Sequence, residues 1–393
     1  IIGKFWIVFF FGLFHGLGFA GLLKDIAIPE NRFVTSLLFF NVGIEIGQLM
    51  IIALALLLVF AMMLLSFGYF LSGPKYRGPV SRHFDGRKFF TPGGKPAKGL
   101  ADVLKWMMKR KRGEWKEQKD IPLGEAPPAR VGRGARITFV NHSTFLIQAD
   151  GINLLTDPVW SERTSPFQWA GPKRMRPPGI RFEDLPKIDL VLLSHNHYDH
   201  LDLITMKRVF EKHKPKIITS LGVKAFLDNH KIIGSTELDW WEEWSLNDVL
   251  KIQAVPAQHF SGRGMFDRDA TLWSGFVIKR PGGNIYFVGD TGYNESIFKE
   301  IGQQCAPIEM ALVPIGAYKP EWFMSPIHCS PEEAVKIHIA LEAKQSIATH
   351  FGAFPLADDG GDGSILDLNK ALQQQRISPE QFIVLKEGEG CEF

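Results

Sequence analysis

The stretch Asp189-Leu190-Val191-Leu192-Leu193-Ser194-His195-Asn196-His197-Tyr198-Asp199-His200 decides how this chain is read. Its first five residues form a short run rich in branched apolar side chains, the pattern of a buried strand. Four metal-ligand side chains then follow within six residues, although only 12 of the 393 residues are His. In an extended turn His195 and His197 point the same way and reach one ion. Asp199 and His200 lie further along and reach a second. A merely polar His-rich turn is the competing reading, and the density of ligands argues against it.

A dinuclear site needs ligands from elsewhere, and each of three further candidates follows an apolar run. His259 follows 252–255, Asp290 follows 285–288 within Gly289-Asp290-Thr291-Gly292, and His350 follows 346–348. Each alone is as readily a core polar group. All three in this order, with glycines permitting a tight turn around a bridging carboxylate, make a metal centre the stronger reading.

Working outward, strands are expected at 137–140, 145–148, 153–156, 189–193, 216–219, 251–255, 276–279, 284–288 and 310–313, and helices at 202–212, 331–341 and 364–374. A β-rich core covered by helices follows, an α/β class. Cys305, Cys329 and Cys391 are too few and too scattered for a disulfide framework or a Cys-type zinc knuckle, which favours a reducing compartment.

The ligand order resembles the metallo-β-lactamase superfamily over nearly all of 75–393, which implies an αββα sandwich. The wording of Leu155-Thr156-Asp157-Pro158, Gly171-Pro172-Lys173-Arg174, Ser194–Asp202, Pro314-Ile315-Gly316-Ala317-Tyr318 and His328 with Pro331-Glu332-Glu333-Ala334-Val335 is similar to the N-acylphosphatidylethanolamine-hydrolysing phospholipase D family. That resemblance implies two zinc ions. His195, His197 and His259 would hold one, and Asp199, His200 and His350 the other, with Asp290 bridging. It also places His328 near the reaction centre, where it is the candidate proton donor to a departing alkoxide. His142 falls on the first hairpin, as a hydrogen bonder behind the ligands. The family tends to read Tyr-Glu-Pro-Arg where this chain has Tyr318-Lys319-Pro320-Glu321, so acid and base have exchanged places. A local ion pair survives such a swap; an Arg that touched substrate does not.

Charge divides the chain into three blocks. Residues 1–73 hold three Lys/Arg and three Asp/Glu, 74–136 carry a net +11, and the remainder carries −8, within a formal total of +3. With 45% hydrophobic residues the chain is not wholly disordered, and the acidic block offers no positive groove for nucleic acid. From Ile46 to Gly73 there is no charge, long enough for a transmembrane helix, and Phe5–Leu23 is a second expected span rich in glycine. His15 and Glu45 are the ionisable side chains set among these apolar runs. Their surroundings over about the first 60 residues resemble the last part of the HupE/UreJ family, which implies a nickel or cobalt permease; so few spans favour an anchor instead. Lys75, Arg77, Arg82, Arg87 and Lys88 after the span place the following block in the cytoplasm, at the inner membrane.

The expected organisation is therefore an anchor over 1–73, a basic collar and linker over 74–135, and a hydrolase domain over 136–393. In the collar, Leu100–Lys119 has the period of a basic amphipathic helix, lying on anionic lipid or packed on the hydrolase. The expected activity is a zinc-dependent phosphodiesterase of phospholipase D type, using water activated between two zinc ions on an N-acylated phospholipid. A hydrolase of another phosphoester or a lactone, and a permease fragment fused to a hydrolase, are the alternatives. The sequence assigns no oligomeric state.

Overall fold

The computed structural model describes residues 30–393, and the expected span at 5–23 with His15 lies outside them. A single 3-10 turn, Glu30–Arg32, leads into helix α1, Phe33–Leu71. Its 39 residues extend roughly 58 Å at 1.5 Å each, and length and apolar composition suffice to cross a membrane. The helix starts 13 residues before the charge-free run, because 33–45 is equally free of Pro and holds Glu45 as its one charged residue. Asn41 and Glu45, one turn apart, each hold a buried side-chain oxygen with no hydrogen-bond partner among the described residues. Leu71–Phe393 forms a separate compact unit.

Within that unit, helix α2 covers Leu100–Lys109, ten residues rather than the twenty expected. The amphipathic period continues to Lys119, but tertiary contacts override it. Arg110 turns extended and its Nε meets Asp358 Oδ1 at 2.8 Å, while Gly113 N donates to Asp358 O at 2.9 Å. A Cβ on Gly113 would sit 2.6 Å from Gly360 N, so only glycine lets the two backbones come this close. Val103 and Trp106 pack beside Ala317, Phe323, Met324 and Ile327, whereas Leu100, Leu104, Met107 and Met108 are exposed. One face of α2 is therefore packed on the hydrolase and the other is open. Residues 122–134 have no regular structure, yet Gly124 N donates to Gly179 O at 3.0 Å, so the stretch is laid along the unit.

The rest is a sandwich of two seven-stranded sheets. The first orders β14 (Gly390–Glu392), β1 (Ala135–Asn141), β2 (Thr144–Ala149), β3 (Ile152–Thr156), β4 (Leu190–Leu193), β5 (Lys216–Ser220) and β6 (Thr236–Leu238). The second orders β13 (Phe382–Ile383), β12 (Gln345–Thr349), β11 (Ile308–Pro314), β10 (Asn284–Phe287), β9 (Gly275–Lys279), β8 (Lys251–Val255) and β7 (Glu243–Ser245). Hairpins join β1–β2–β3 and β7–β8–β9 antiparallel; β3–β6 and β10–β13 pair in parallel. The period of two in β4 splits it cleanly. Leu190 and Leu192 join the core between the sheets, and Val191 and Leu193 join a second core. There they meet Met206 and Val209 of α3 (Leu203–His213) and Phe226 and Leu227 of α4 (Val223–Asn229). Helices α5 (Glu295–Gln304), α7 (Pro331–Ala340) and α8 (Gly363–Gln375) cover the second sheet, and α6 (Glu321–Met324) is a single turn beside it. This is the αββα arrangement of an α/β fold.

Phe298 of α5 is 1% exposed in the central core. Phe298→Ala should cost about 3–5 kcal/mol of stability, read as a lower urea midpoint with an unchanged slope.

Candidate metal centre

Every loop carrying a candidate ligand leaves the C-terminal end of a strand, and these ends converge. His195, His197, Asp199 and His200 follow β4, His259 follows β8, Asp290 follows β10, and His350 follows β12. The β4 loop is fixed at both ends. Asp202 caps α3 by accepting from Ile204 N at 3.1 Å, and its other oxygen accepts from Ser161 N at 3.0 Å. The buried Arg263 guanidinium donates to Asn196 O at 2.7 Å and Leu201 O at 3.0 Å, over the Tyr198 ring. Gly289, at φ +68°, lets the Asp290 turn pass Ser194, whose Cβ would lie 3.1 Å from a Cβ there.

His195, His197 and His259 form one group. His195 Nε2 lies 2.8 Å from His197 Nδ1, and His259 Nε2 lies 3.2 Å from the same atom. A tetrahedral zinc with nitrogens at 2.0–2.1 Å spaces them roughly 3.3 Å apart, so the group fits an ion. His259 donates from Nδ1 to Ile327 O at 2.7 Å, which presents a bare lone pair at Nε2. Burial, and then the neighbouring imidazoles, hold His195 well below the usual histidine range. Burial takes His197 down to about 4, so the group offers neutral nitrogens at pH 7.

Asp199, His200 and His350 form a second group with His142. Asp199 Oδ2 lies 3.3 Å from both His200 Nε2 and His350 Nε2, and 3.0 Å from His142 Nε2. Asp290 stands between the groups. Its Oδ2 is 3.1 Å from His200 Nε2, 3.2 Å from His350 Nε2, 3.7 Å from His259 Nε2 and 4.0 Å from His195 Nε2. Burial opposes charge on both carboxyls, but His200 and its neighbours win and hold Asp199 and Asp290 well below the usual carboxylate range. Burial likewise opposes charge on His350, yet Asp290 and Asp199 lift it to about 9. Asp290 Oδ1 is buried with no hydrogen-bond partner among the described residues. A buried carboxylate with an orphaned oxygen and a half-buried one, both ringed by imidazoles, fit bound cations by the chemistry of their donors.

The residues behind the ligands are less legible in sequence. Asp157, at the end of β3 and fully buried, accepts from Ser194 N at 2.8 Å and Ser194 Oγ at 2.6 Å, and its Oδ2 lies 2.6 Å from His200 Nδ1. An acidic residue between a strand end and a proline was its one sequence signal. Ser194 Oγ also contacts His195 Nδ1 at 2.9 Å. His142, at φ +48°, meets Asp199 as stated, and His142 O accepts from His350 N at 2.9 Å. His328 Nδ1 sits 3.8 Å from Asp290 Oδ2 at the rim, its side chain 12% exposed. Of the expected side chains within the described residues, all but Glu45, which lies on α1, gather here.

The family model described as Beta-lactamase superfamily domain matches residues 152–351, and the HupE / UreJ protein model matches 2–70. The N-acyl-phosphatidylethanolamine-hydrolyzing phospholipase D 1 of Caenorhabditis elegans is 38% identical over 291 residues, 70% of this chain and 81% of that protein. The mitochondrial N-acyl-phosphatidylethanolamine-hydrolyzing phospholipase D of Saccharomyces cerevisiae is 35% identical over 56% of this chain, which spans about half (48%) of that protein. For the fold, an isothiocyanate hydrolase from Delia radicum gut bacteria superposes with a TM-score of 0.53 at 21% identity, over 66% of this chain and 98% of that one. The chain therefore belongs to the metallo-β-lactamase superfamily and is a metallo-hydrolase of that fold, related to the N-acyl-phosphatidylethanolamine-hydrolyzing phospholipases D.

Proposed function

We propose that the chain is a membrane-associated, zinc-dependent phosphodiesterase of phospholipase D type. It hydrolyses N-acylphosphatidylethanolamine-like lipids to phosphatidic acid and an N-acylethanolamine. The observation that carries this is the position of Asp290 Oδ2 within 4.0 Å of four ring nitrogens drawn from both ligand groups. A relative 38% identical bears the phospholipase name.

His195, His197 and His259 would hold one ion, and Asp199, His200 and His350 another, with Asp290 between the two groups. Zinc held there would lower the pKa of water toward neutrality and polarise a phosphoryl oxygen. The chain's own residues do the rest. Asp157 and Ile327 O orient His200 and His259. His142 holds Asp199. Burial pushes His328 down to about 4, so it is neutral before substrate arrives. The negative phosphodiester favours the imidazolium, from which His328 hands a proton to the departing alkoxide.

The membrane side of the reading rests on α1 and on the open face of α2, where Leu100, Leu104, Met107 and Met108 stand beside Lys105 and Lys109. Residues 1–73 act as the anchor, 74–135 as the collar and 136–393 as the hydrolase, on the cytoplasmic side that Lys75, Arg77 and Arg82 favour. Anionic lipid then meets the basic face of α2, each cation near it contributing about 1 kcal/mol.

The test compares vesicles of N-acylphosphatidylethanolamine with soluble bis(p-nitrophenyl) phosphate, using the zinc-loaded full chain. Release of N-acylethanolamine is expected. Turnover of the soluble ester alone would leave a generic metallo-hydrolase. Charging the open face with Met107→Asp and Met108→Asp should slow vesicle turnover at least about tenfold, since burying each Met apolar side chain contributes about 1.5–3 kcal/mol. Turnover of the soluble ester should stay within twofold, and equal slowing of both substrates would remove α2 from the lipid surface.

A further inference from the structure

Beside the candidate metal centre lies a cavity of about 140 Å³, lined by Tyr318, Glu321, Ser325, His328, Glu333 and Lys336 among others. His328 belongs to both places: its side chain lines the cavity and its Nδ1 lies 3.8 Å from Asp290 Oδ2. A group that takes a proton from His328 as it leaves phosphorus departs into this space. The cavity is thus the leaving-group side of the site, on the reading given above.

The charges on its wall are unequally engaged. Glu332 pairs with Lys336 at 2.7 Å. Glu333 accepts from Ser330 N at 2.9 Å, closing the capping box of α7. Lys319, two residues before Glu321, turns away, and its Nζ meets Asp367 Oδ2 at 2.9 Å. Among the described residues no ion pair joins Lys319 to Glu321, so the exchange of acid and base along 318–321 does not rebuild a local pair. It leaves the exposed Glu321 carboxylate, with no ion-pair partner among the described residues, on the wall of the cavity. One free carboxylate is too few for calcium, which takes six to eight oxygens. It suits a single ammonium group, with the Ser325 and Ser330 hydroxyls as further acceptors. A compact aminoethyl group, three heavy atoms, fits within about 140 Å³.

We infer that the Glu321 cavity binds a compact ammonium group on the leaving alcohol, so that the chain also hydrolyses phospholipids whose ethanolamine head group is not acylated. In that reaction the oxygen of water joins phosphorus and the bond from phosphorus to the ethanolamine oxygen breaks. That oxygen takes the proton, and the products are phosphatidic acid and ethanolamine.

Two measurements on the zinc-loaded full chain in detergent test this. In calorimetric titration the chain should bind ethanolamine at least tenfold more tightly than neutral N-acetylethanolamine. E321Q should bring the two within about threefold, and E321R should favour the neutral ligand. On vesicles, E321R should lower the ratio of unacylated to N-acylated turnover at least tenfold. Ethanolamine affinity that is indifferent to both substitutions, or that calcium abolishes by competition, overturns the inference. Hydrolysis of bis(p-nitrophenyl) phosphate with neither lipid cleaved sinks the phospholipase reading instead. Ethanolamine binding that still depends on Glu321 would then uphold the cavity as an ammonium site.

Discussion

Asp290→Asn should lower turnover of both lipid and soluble ester at least about 10³-fold, the equivalent of some 4 kcal/mol. The carboxylate is 4% exposed, and its Oδ2 faces His200 and His350 at 3.1 and 3.2 Å and His259 and His195 at 3.7 and 4.0 Å. It supplies one of the two negative charges among the seven side chains. An amide of the same shape is neutral, so it holds two cations far more weakly than the carboxylate does. The loss should appear first as metal: plasma emission analysis of the purified variant should find fewer ions per chain than the wild type. A variant that keeps full metal and full turnover would remove Asp290 from the centre.

Asp157→Ala acts one step further out and should still be severe. Its carboxylate is fully buried, accepts twice from Ser194 and lies 2.6 Å from His200 Nδ1. Truncation frees His200 to rotate and leaves buried donors unsatisfied, each costing about 1–3 kcal/mol. Breaking a buried charged contact of this kind costs about 3–5 kcal/mol. Metal affinity should fall about 10–100-fold, the range for partners that orient a ligand imidazole. Asp157→Asn should recover part of the stability, since its amide oxygen still accepts from Ser194. Metal titration and thermal melting of the two variants read these effects apart. Wild-type metal affinity in Asp157→Ala would show that His200 needs no such support.

The seven convergent side chains were legible in the sequence because metal chemistry restricts residue types. Few side chains bind a cation, and a strand end is where a loop can aim them. Nothing in the sequence assigns Asp157 a role, because an acidic residue near a strand end is common and its partners lie far along the chain. Ile327 contributes through a carbonyl, which every residue carries, so no sequence signal marks it. Period alone predicts a helix over 100–119. Asp358, some 250 residues away, stops it at Lys109 by drawing Arg110 and Gly113 onto its own loop. β6, β7, β13 and β14 have two or three residues each and exist through their partner strands, below the length at which alternation is visible. Glu321 is the reverse case. The reading at 318–321 left open whether a reversed charge faced the site, and the structure sets Lys319 on Asp367 and Glu321 on the cavity wall.

In the proposed reaction water attacks phosphorus and the head-group alcohol departs. Turnover of N-acylphosphatidylethanolamine vesicles by the zinc-loaded full chain in ¹⁸O-labelled water, followed by mass spectrometry of both products, tests it most directly. One ¹⁸O atom in phosphatidic acid and none in the N-acylethanolamine is the expected result. Label in the released alcohol, or diacylglycerol in place of phosphatidic acid, would contradict it.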